Sequence, residues 1–427
     1  MTKVLAYSDA AQRGRSRFFI AIALIALASA THAGMIQAQS PRDSLAERLR
    51  RAEAAIAALE MQIAEQAQSA VTTRSRARME LNGRILMNAF SNSRRVNNVD
   101  NPQFVQPDPV PAVPMRGLGL AIRQSRLGLA VTVPEALNGT FTGDVDVDFY
   151  GGQVPSGGGR TFPLLRLRTA RGILRWTHAD VMVGQESPLI SDVDPMTVGA
   201  VGSPAFAAAG NLWLWLPQIR AGAEITRGLR WGTQVAVLAP TSGDPAAFFD
   251  TDNDLAERSA RPFLQGRVSA GWGDDHPGEV GCGVHRGWLM PLAEREESKA
   301  IACDLRVAVH GWLDVRGEYF TGQALRGLGG GGIGQNFTPA NEPLQSTGGW
   351  AQVNVMPRPG LSAGIGCGTD QPDGSVARRR NDVCAGYAML RPPGPMFVGI
   401  EYRRLSTLYS TGWLRNDHVT LGTGFEF

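Results

Sequence analysis

Apolar and polar residues alternate with a period of two from about Arg76 to Phe427. In the run 416–427, for example, Val419, Leu421 and Phe425 alternate with small or polar residues. A strand with one apolar and one polar face has this pattern. We therefore predict sixteen strands, at residues 76–90, 116–133, 138–150, 163–176, 179–186, 217–226, 229–238, 262–273, 279–286, 298–309, 311–321, 347–356, 360–367, 383–391, 396–405 and 416–427.

The links between these strands alternate between short and long. Short turns such as 177–178 and 227–228 are followed by long links such as 187–216 and 239–261. A soluble sandwich also has two-faced strands, but an even-stranded meander with tight turns at one end is typical of an outer-membrane barrel. The predicted fold class is all-β, an antiparallel 16-stranded transmembrane β-barrel at residues 76–427 preceded by a short α-helical coiled coil.

Residues 1–38 have the pattern of a secretory signal peptide. Basic residues precede the apolar core Phe18–Ala30, and small residues allow cleavage after Ala33 or Ala38. The alternative is an uncleaved anchor, but a membrane-spanning helix needs about 20 apolar residues, more than this core contains. We therefore predict that the chain is exported.

Residues 39–70 have a helical rather than a strand period. The apolar positions from Leu45 to Ile63 follow one another at spacings of 4, 3, 4, 3 and 4, with arginine and glutamate on the flanks. Such heptads predict a coiled coil with other chains. The alternative is one amphipathic helix that lies on a domain.

In such a barrel, the polar face of each strand lines a water-filled lumen. The sequence Arg123-Gln124-Ser125-Arg126 places two arginines on opposite faces, which predicts a bulge or a position near the rim. Arginine suits carboxylate ligands because its planar fork makes bidentate bonds. The candidate pore-lining residues are Arg84, Arg123, Arg166, Arg168, Arg220, Arg267, Arg306, Asp144, Asp146, Asp148, Asp192 and Asp194.

The link 187–216 is long and rich in small and apolar residues, with Asp192 and Asp194 near its start. A loop of this length in a compact domain is usually functional or disordered. Because an apolar loop is poorly solvated outside the barrel, we predict that it folds into the lumen and narrows the pore. The alternatives are an exposed loop and a contact between subunits.

Four cysteines lie in the exported part of the chain, as two pairs that each flank one predicted external loop. Of the three possible connectivities, this placement favours Cys282–Cys303 and Cys367–Cys384, which would clamp the bases of two loops. The alternative is four unpaired small residues on the barrel wall.

Composition and motifs mainly exclude other classes of protein. The chain has 427 residues, 43% of them hydrophobic and 19% charged, which excludes disorder. The formal net charge of +3 equals the charge of the leader, so the mature chain lacks the basic excess of a nucleic-acid-binding protein. Asp144, Asp146 and Asp148 superficially resemble a calcium loop, but the following glycine and glutamate are missing. With six scattered histidines and no nucleophile motif, we predict no metal, no cofactor and no enzyme.

A family resemblance rests on the heptads from Leu45 to Ile63 and on the segments 123–128, 143–150, 165–170, 183–186 and 216–220. In these residues the chain resembles the DcaP-like trimeric porins. The resemblance implies a homotrimer in the lipid bilayer of the bacterial outer membrane, held through barrel walls and the coiled coil. It also implies passive diffusion of small, often anionic solutes such as dicarboxylates. The alternatives are a barrel that tethers the envelope and conducts little, an outer-membrane barrel enzyme and a secreted soluble β-protein.

Overall fold

The computed structural model describes residues 71–72, 77–108, 116–151, 163–243, 252–273 and 277–427. The predicted signal peptide and coiled-coil segment lie outside these residues, so both stay predictions. Within the described residues, no helix combines the length and the apolar character that crossing a membrane requires.

Sixteen antiparallel strands form a closed barrel, which confirms the predicted barrel architecture. Each strand pairs with its sequence neighbours, and β16 pairs with β1 to close the ring. A two-residue strand, Val71–Thr72, adds to the start of β1. The strands are β1 (Arg78–Asn92), β2 (Gly117–Ala121 and Arg126–Ala136), β3 (Gly139–Gly151), β4 (Leu164–Arg175), β5 (Ala179–Glu186), β6 (Leu216–Arg227), β7 (Leu229–Leu238), β8 (Phe263–Trp272), β9 (Gly278–Leu289), β10 (Glu296–His310), β11 (Leu313–Gln323), β12 (Gln345–Arg358), β13 (Leu361–Pro372), β14 (Arg380–Leu390), β15 (Met396–Tyr409) and β16 (Gly412–Glu426).

The two faces of the barrel wall differ as the alternation predicts. On β16, Val419 and Leu421 are exposed on the outer surface, whereas His418 and Thr420 point inward and are fully buried. The same outward exposure of large apolar side chains recurs around the ring. Because an extended apolar surface is unfavourable in water, this exterior fits a lipid environment.

Two bulges change which residues face inward. In β2, the six residues from Ala121 to Arg126 lie opposite the five residues from Arg84 to Asn88 of β1, so the strand is interrupted where the sequence predicts a bulge. In β4, Thr169 pairs with Asp146 and Leu167 pairs with Val147, which leaves Arg168 as an extra residue. A single extra residue reverses the faces of the strand beyond it.

The last external link is shorter than the sequence suggests. We predicted a long link at 406–415, but the β15–β16 ladder continues to the pair Tyr409 and Gly412. The added pairs are Ser406 with Arg415, Thr407 with Leu414 and Leu408 with Trp413, and backbone hydrogen bonds form such pairs whatever the side chains are.

The interior contains packed clusters of apolar side chains instead of an open tube. The segment between β5 and β6, residues 187–215, is called loop L3 below. It places Leu189, Ile190 and Leu212 in one cluster with side chains of β8 to β11. Phe206 and Val198 of L3 belong to two further clusters against other parts of the wall. The barrel core is therefore made jointly by L3 and the inner wall.

Candidate functional site

Loop L3 lies inside the barrel and is held by inward-facing carboxyl groups. The Glu401 carboxyl accepts hydrogen bonds from the Thr197 hydroxyl and from the backbone N–H of Val198 at 2.7 Å. On another part of the wall, Glu318 of β11 accepts from Asn211 Nδ2 at 2.7 Å and from the backbone N–H of Leu212 at 3.2 Å. These two anchors fix both halves of the loop, since backbone donors satisfy buried carboxyl oxygens well.

Small wall residues make room for the loop. The side chain of Val198 lies against Gly399 and Gly422, and a Cβ atom at either glycine would come within 2.8 Å of a Val198 methyl group. That distance is shorter than carbon atoms tolerate, so larger residues at these positions would push L3 away from the wall.

A second segment, residues 93–108 after β1, joins L3 to the wall. Asn101 Nδ2 donates to the backbone oxygen of Ser203 at 2.9 Å, and Arg403 Nη1 donates to Asn101 Oδ1 at 3.0 Å. Arg123 Nε donates to Asp100 Oδ2 at 2.9 Å, and its guanidinium stacks on the Tyr150 ring at 4.1 Å. The buried position of Arg123 differs from its predicted place on the open lumen, because this segment covers it.

Three predicted residues and Arg126 lie side by side across the wall of β1 to β4. The register pairs Arg84 with Arg126, Arg126 with Asp148 and Asp148 with Arg166. We call Arg84, Arg126, Arg166 and the adjacent Arg168 the arginine row. Neighbouring strands lie about 4.8 Å apart, so the row spans roughly 15 Å of wall.

The guanidinium groups of the row stand in front of their carboxylate partners. Arg126 is 39% exposed and its partner Asp146 is 16% exposed, with Nη2 and Oδ2 2.6 Å apart. Arg166 is 26% exposed over Asp148, which is fully buried. Arg168 Nη1 also donates to Asp148, at 3.0 Å. A solute in the lumen therefore contacts the guanidinium groups first, and the carboxylates behind them hold these groups in place.

Arg84, Arg126 and Arg168 of the row line a cavity of about 250 Å³ beneath L3. Asp194 of L3 and the side chains of Trp215 and Arg391 also line this cavity. Trp215 supports the row, since the Arg168 guanidinium lies 4.3 Å from its ring centroid. The space suits a small polar solute that passes between L3 and the wall.

Other predicted pore residues lie on the remaining wall and on L3. Arg306 is 67% exposed and faces the interior near the largely buried Asp314, whereas Arg267 is buried and bonded to Asp304. The Arg267 side chain thus differs from its predicted place on the open lumen, because the ion pair draws it into the wall. Arg220 Nη2 donates to the backbone oxygen of Ser187 at 3.0 Å.

The acidic residues of L3 are exposed to the interior. Asp192 and Asp194 are both exposed, whereas the flanking residues Ser191 and Pro195 are buried. Enclosure within the barrel raises the pKa of both carboxyl groups, against the opposing effect of nearby arginines such as Arg267 and Arg168. L3 thus places two titratable carboxyls in the same interior as the arginine row.

Sequence reasoning missed three cations of the site: Arg126, which is absent from the candidate pore-lining residues, and also Arg171 and Arg391. Arg171 faces inward and bonds to Asp144, with Nε and Oδ1 2.8 Å apart, because the bulge at Arg168 reverses the faces of β4. Arg391 follows the end of β14 and binds Glu426, with Nε and Oε2 3.2 Å apart. No alternation marks Arg391, since it lies in a turn.

The cysteines form two cross-strand pairs on the outer surface. The structure joins Cys282 to Cys303 and Cys367 to Cys384, with Cα atoms 4.1 Å apart in each pair. Each pair is a direct neighbour in the ladder, on β9–β10 and on β13–β14. The disulfides thus lie within the strands and not at the loop bases. Cys282 and Cys303 lie inside the predicted strands, and β13 and β14 extend past Cys367 and Cys384 towards the loop.

Removal of the first disulfide is expected to lower stability without opening the barrel. The Cys282–Cys303 bond closes a segment with a sequence separation of 21, for which chain entropy predicts about 3 kcal/mol. The C282A/C303A variant should unfold at a lower temperature in heat-modifiability gels, with unchanged channel properties. Equal unfolding temperatures under oxidising conditions would show that the bond does not form in the purified protein.

Comparisons with solved structures identify the fold. No family model and no curated protein matches the chain. The outer-membrane channel DcaP of Acinetobacter baumannii matches with a TM-score of 0.62 and 15% identity, covering 84% of this chain and 100% of that chain. The barrel has the fold of this channel. The predicted resemblance to DcaP is confirmed at this level.

Two other porin structures agree with this assignment of fold. An anion-selective porin from Comamonas acidovorans has a TM-score of 0.53 and 9% identity, covering 82% of this chain and all of that chain. Salmonella typhi OmpF, in complex with daunomycin, has a TM-score of 0.54 and 11% identity, covering 84% of this chain and all of that chain.

In the described part of the chain, no group of three His, Cys, Asp or Glu side chains could hold a metal ion.

Proposed function

We propose that this protein is a trimeric porin of the bacterial outer membrane. It lets small hydrophilic solutes diffuse passively and prefers anions such as dicarboxylates. The mature chain reaches the membrane after its signal peptide is cleaved, and the coiled coil of residues 39–70 helps to join three copies. The competing proposal is a structural barrel that tethers the envelope and conducts little.

The observation that carries the anion preference is the layering of charge along the arginine row. Arg126 and Arg166 present their guanidinium groups to the lumen, while Asp146 and Asp148 lie deeper in the wall. A permeating anion comes closer to the cations than to the carboxylates, and charge interactions fall with distance. Two adjacent guanidinium groups, each able to make bidentate bonds, also suit a solute with two carboxylates.

Loop L3 supports a role in sieving. It is anchored by Glu401 on one wall and by Glu318 on another, so it stays within the lumen instead of swinging outward. A fixed loop inside a barrel narrows the passage and brings solutes close to the arginine row. The Comamonas acidovorans structure is described as an anion-selective porin, which agrees with this proposal.

Conductance of the purified protein in planar bilayers tests the proposal. We expect stepwise currents, a reversal potential that favours anions under a salt gradient, and insertion events that close in three equal steps. Conductance no higher than that of the bare membrane would reject the porin and favour the tethering barrel. Closure in one step would contradict three separate lumens.

Acidification is expected to increase anion preference through Asp192 and Asp194. Because their pKa values are raised, these carboxyls become neutral at a higher pH than an ordinary aspartate, whose pKa is about 3.9. Loss of two negative charges from L3 leaves the cations of the lumen less balanced. Reversal potentials recorded from pH 7 downward should therefore shift towards anions before pH 4 is reached.

The D192N/D194N variant provides the control for this titration. It should start with a stronger anion preference at pH 7, and its reversal potential should change less with pH. A wild-type potential that stays constant over this range, or a variant that titrates as the wild type does, would contradict the assignment to these two residues.

A further inference from the structure

A groove of about 610 Å³ lies on the outer surface of β8 to β11. Its floor is apolar, formed by Leu264, Val284 and Ile301, and Gly266 leaves the middle open. A Cβ atom at Gly266 would have its nearest neighbours 3.9 Å away, so this is a hollow in the wall and not a packed position. The lumen site described above lies on the inner surface of the wall and on different strands, β1 to β4.

Two cations stand at one end of the groove. Arg286 and Lys299 are direct cross-strand partners, and both side chains are exposed on the outer surface. Lys299 is also the single lysine of the barrel region, since the other lysine of the chain is Lys3. A charged side chain on the outer surface is unfavourable near the middle of a bilayer, so the pair belongs near a membrane boundary.

The positive charge at this end exceeds the negative charge. Glu297 lies between the two cations, with its Oε1 2.5 Å from Arg286 Nη2 and its Oε2 3.9 Å from Lys299 Nζ. Arg261 joins the cluster, because its guanidinium and that of Arg286 both lie over the Trp288 ring, at 5.0 and 5.4 Å. This cluster at the end of the groove therefore contains three cations and one carboxylate.

The height of the pair on the wall can be estimated from the register. Trp272 pairs with Gly278 at one end of β9, and Trp288 lies ten residues further along that strand. Ten residues at about 3.4 Å, tilted by about 40°, rise roughly 26 Å, which equals the apolar band of such barrels. Arg286 and Lys299 thus lie at the edge of that band, on the side of the long links.

We propose that this groove binds a phosphorylated glycolipid of the outer leaflet, of the lipid A type. The cations contact a phosphate group of the headgroup, and one acyl chain fills the hollow at Gly266. Charge complementarity selects this occupant, because an apolar contact with a second barrel would leave the excess cations without partners. The proposal relies on the outer-membrane location given under the proposed function, but not on conduction.

Lipid binding to the full-length protein in detergent tests the proposal. Native mass spectrometry should show retention of bisphosphorylated lipid A by the wild type. The R286Q/K299Q variant should bind it at least about tenfold more weakly, since each basic residue near an anionic surface contributes measurably. The G266W variant should also bind weakly, because the indole fills the hollow while the charges remain.

The R404Q variant is the matched control. Arg404 is also an exposed cation of the outer surface, paired with Asp417, and it lies away from the groove on β15. Unchanged binding by R286Q/K299Q, equal binding of dephosphorylated lipid A, or equal binding of phosphatidylglycerol would each overturn the proposal. Heat-modifiability gels verify that each variant is folded. A protein that binds lipid A but does not conduct would refute the porin function and leave this proposal standing.

Discussion

Replacement of Arg84 and Arg126 by glutamine is expected to remove most of the anion preference of the pore. Both side chains line the cavity beneath L3 and are adjacent in the arginine row. In water, one unit charge about 4 Å from a permeating ion interacts with it by about 1 kcal/mol. Loss of two cations therefore removes about 2 kcal/mol of attraction for an anion, and the anion-to-cation permeability ratio should fall at least about tenfold. Reversal potentials under a salt gradient measure this ratio directly.

The R84Q/R126Q variant should still fold, which makes the result interpretable. Asp146 keeps a second cation, since Arg168 Nε lies 3.1 Å from its Oδ1, and Glu426 keeps Arg391. The R404Q variant removes an outward cation and should leave the ratio unchanged. A ratio in R84Q/R126Q equal to that of the wild type would falsify the role of the arginine row in selectivity.

The alternation of residues was sufficient to predict the barrel, because a strand in a two-faced wall has a fixed period. It was insufficient wherever the ladder contains an extra residue. Arg171 lies three residues after Arg168 yet faces the same side, since the bulge reverses the faces between them. A bulge is a feature of the pairing of two strands, so one strand alone does not reveal it.

The sequence predicted which residues face inward but not which of them meet water. Arg403 and Arg306 both face inward, yet Arg403 is fully buried and Arg306 is exposed. The difference comes from the segments that fill the lumen. Arg403 bonds to Asn101, which is 302 positions away in the chain, and periodicity within a strand carries no information about such a contact.

Removal of the inner part of L3 is expected to widen the pore. Residues 195–209 can be replaced by Gly-Gly because the two ends of this segment already meet, with Asn211 Nδ2 3.5 Å from the backbone oxygen of Val193. The wall ladder is closed without L3, so the barrel should still form. Single-channel conductance should rise at least about twofold, since conduction follows the width of the narrowest part of a pore.

Selectivity distinguishes a wider pore from a damaged one. The deletion releases Arg166 and Arg168 from the backbone oxygens of Gly202 and Val201, so their guanidinium groups become more accessible to anions. The pore should therefore stay anion-preferring while larger saccharides enter in liposome swelling assays. Replacement of residues 291–294, an exposed link between β9 and β10, by Gly-Gly is the control and should leave conductance unchanged. Conductance equal to the wild type in the L3 deletion would show that the passage is limited elsewhere, because the segment that crosses the lumen would then be absent without effect.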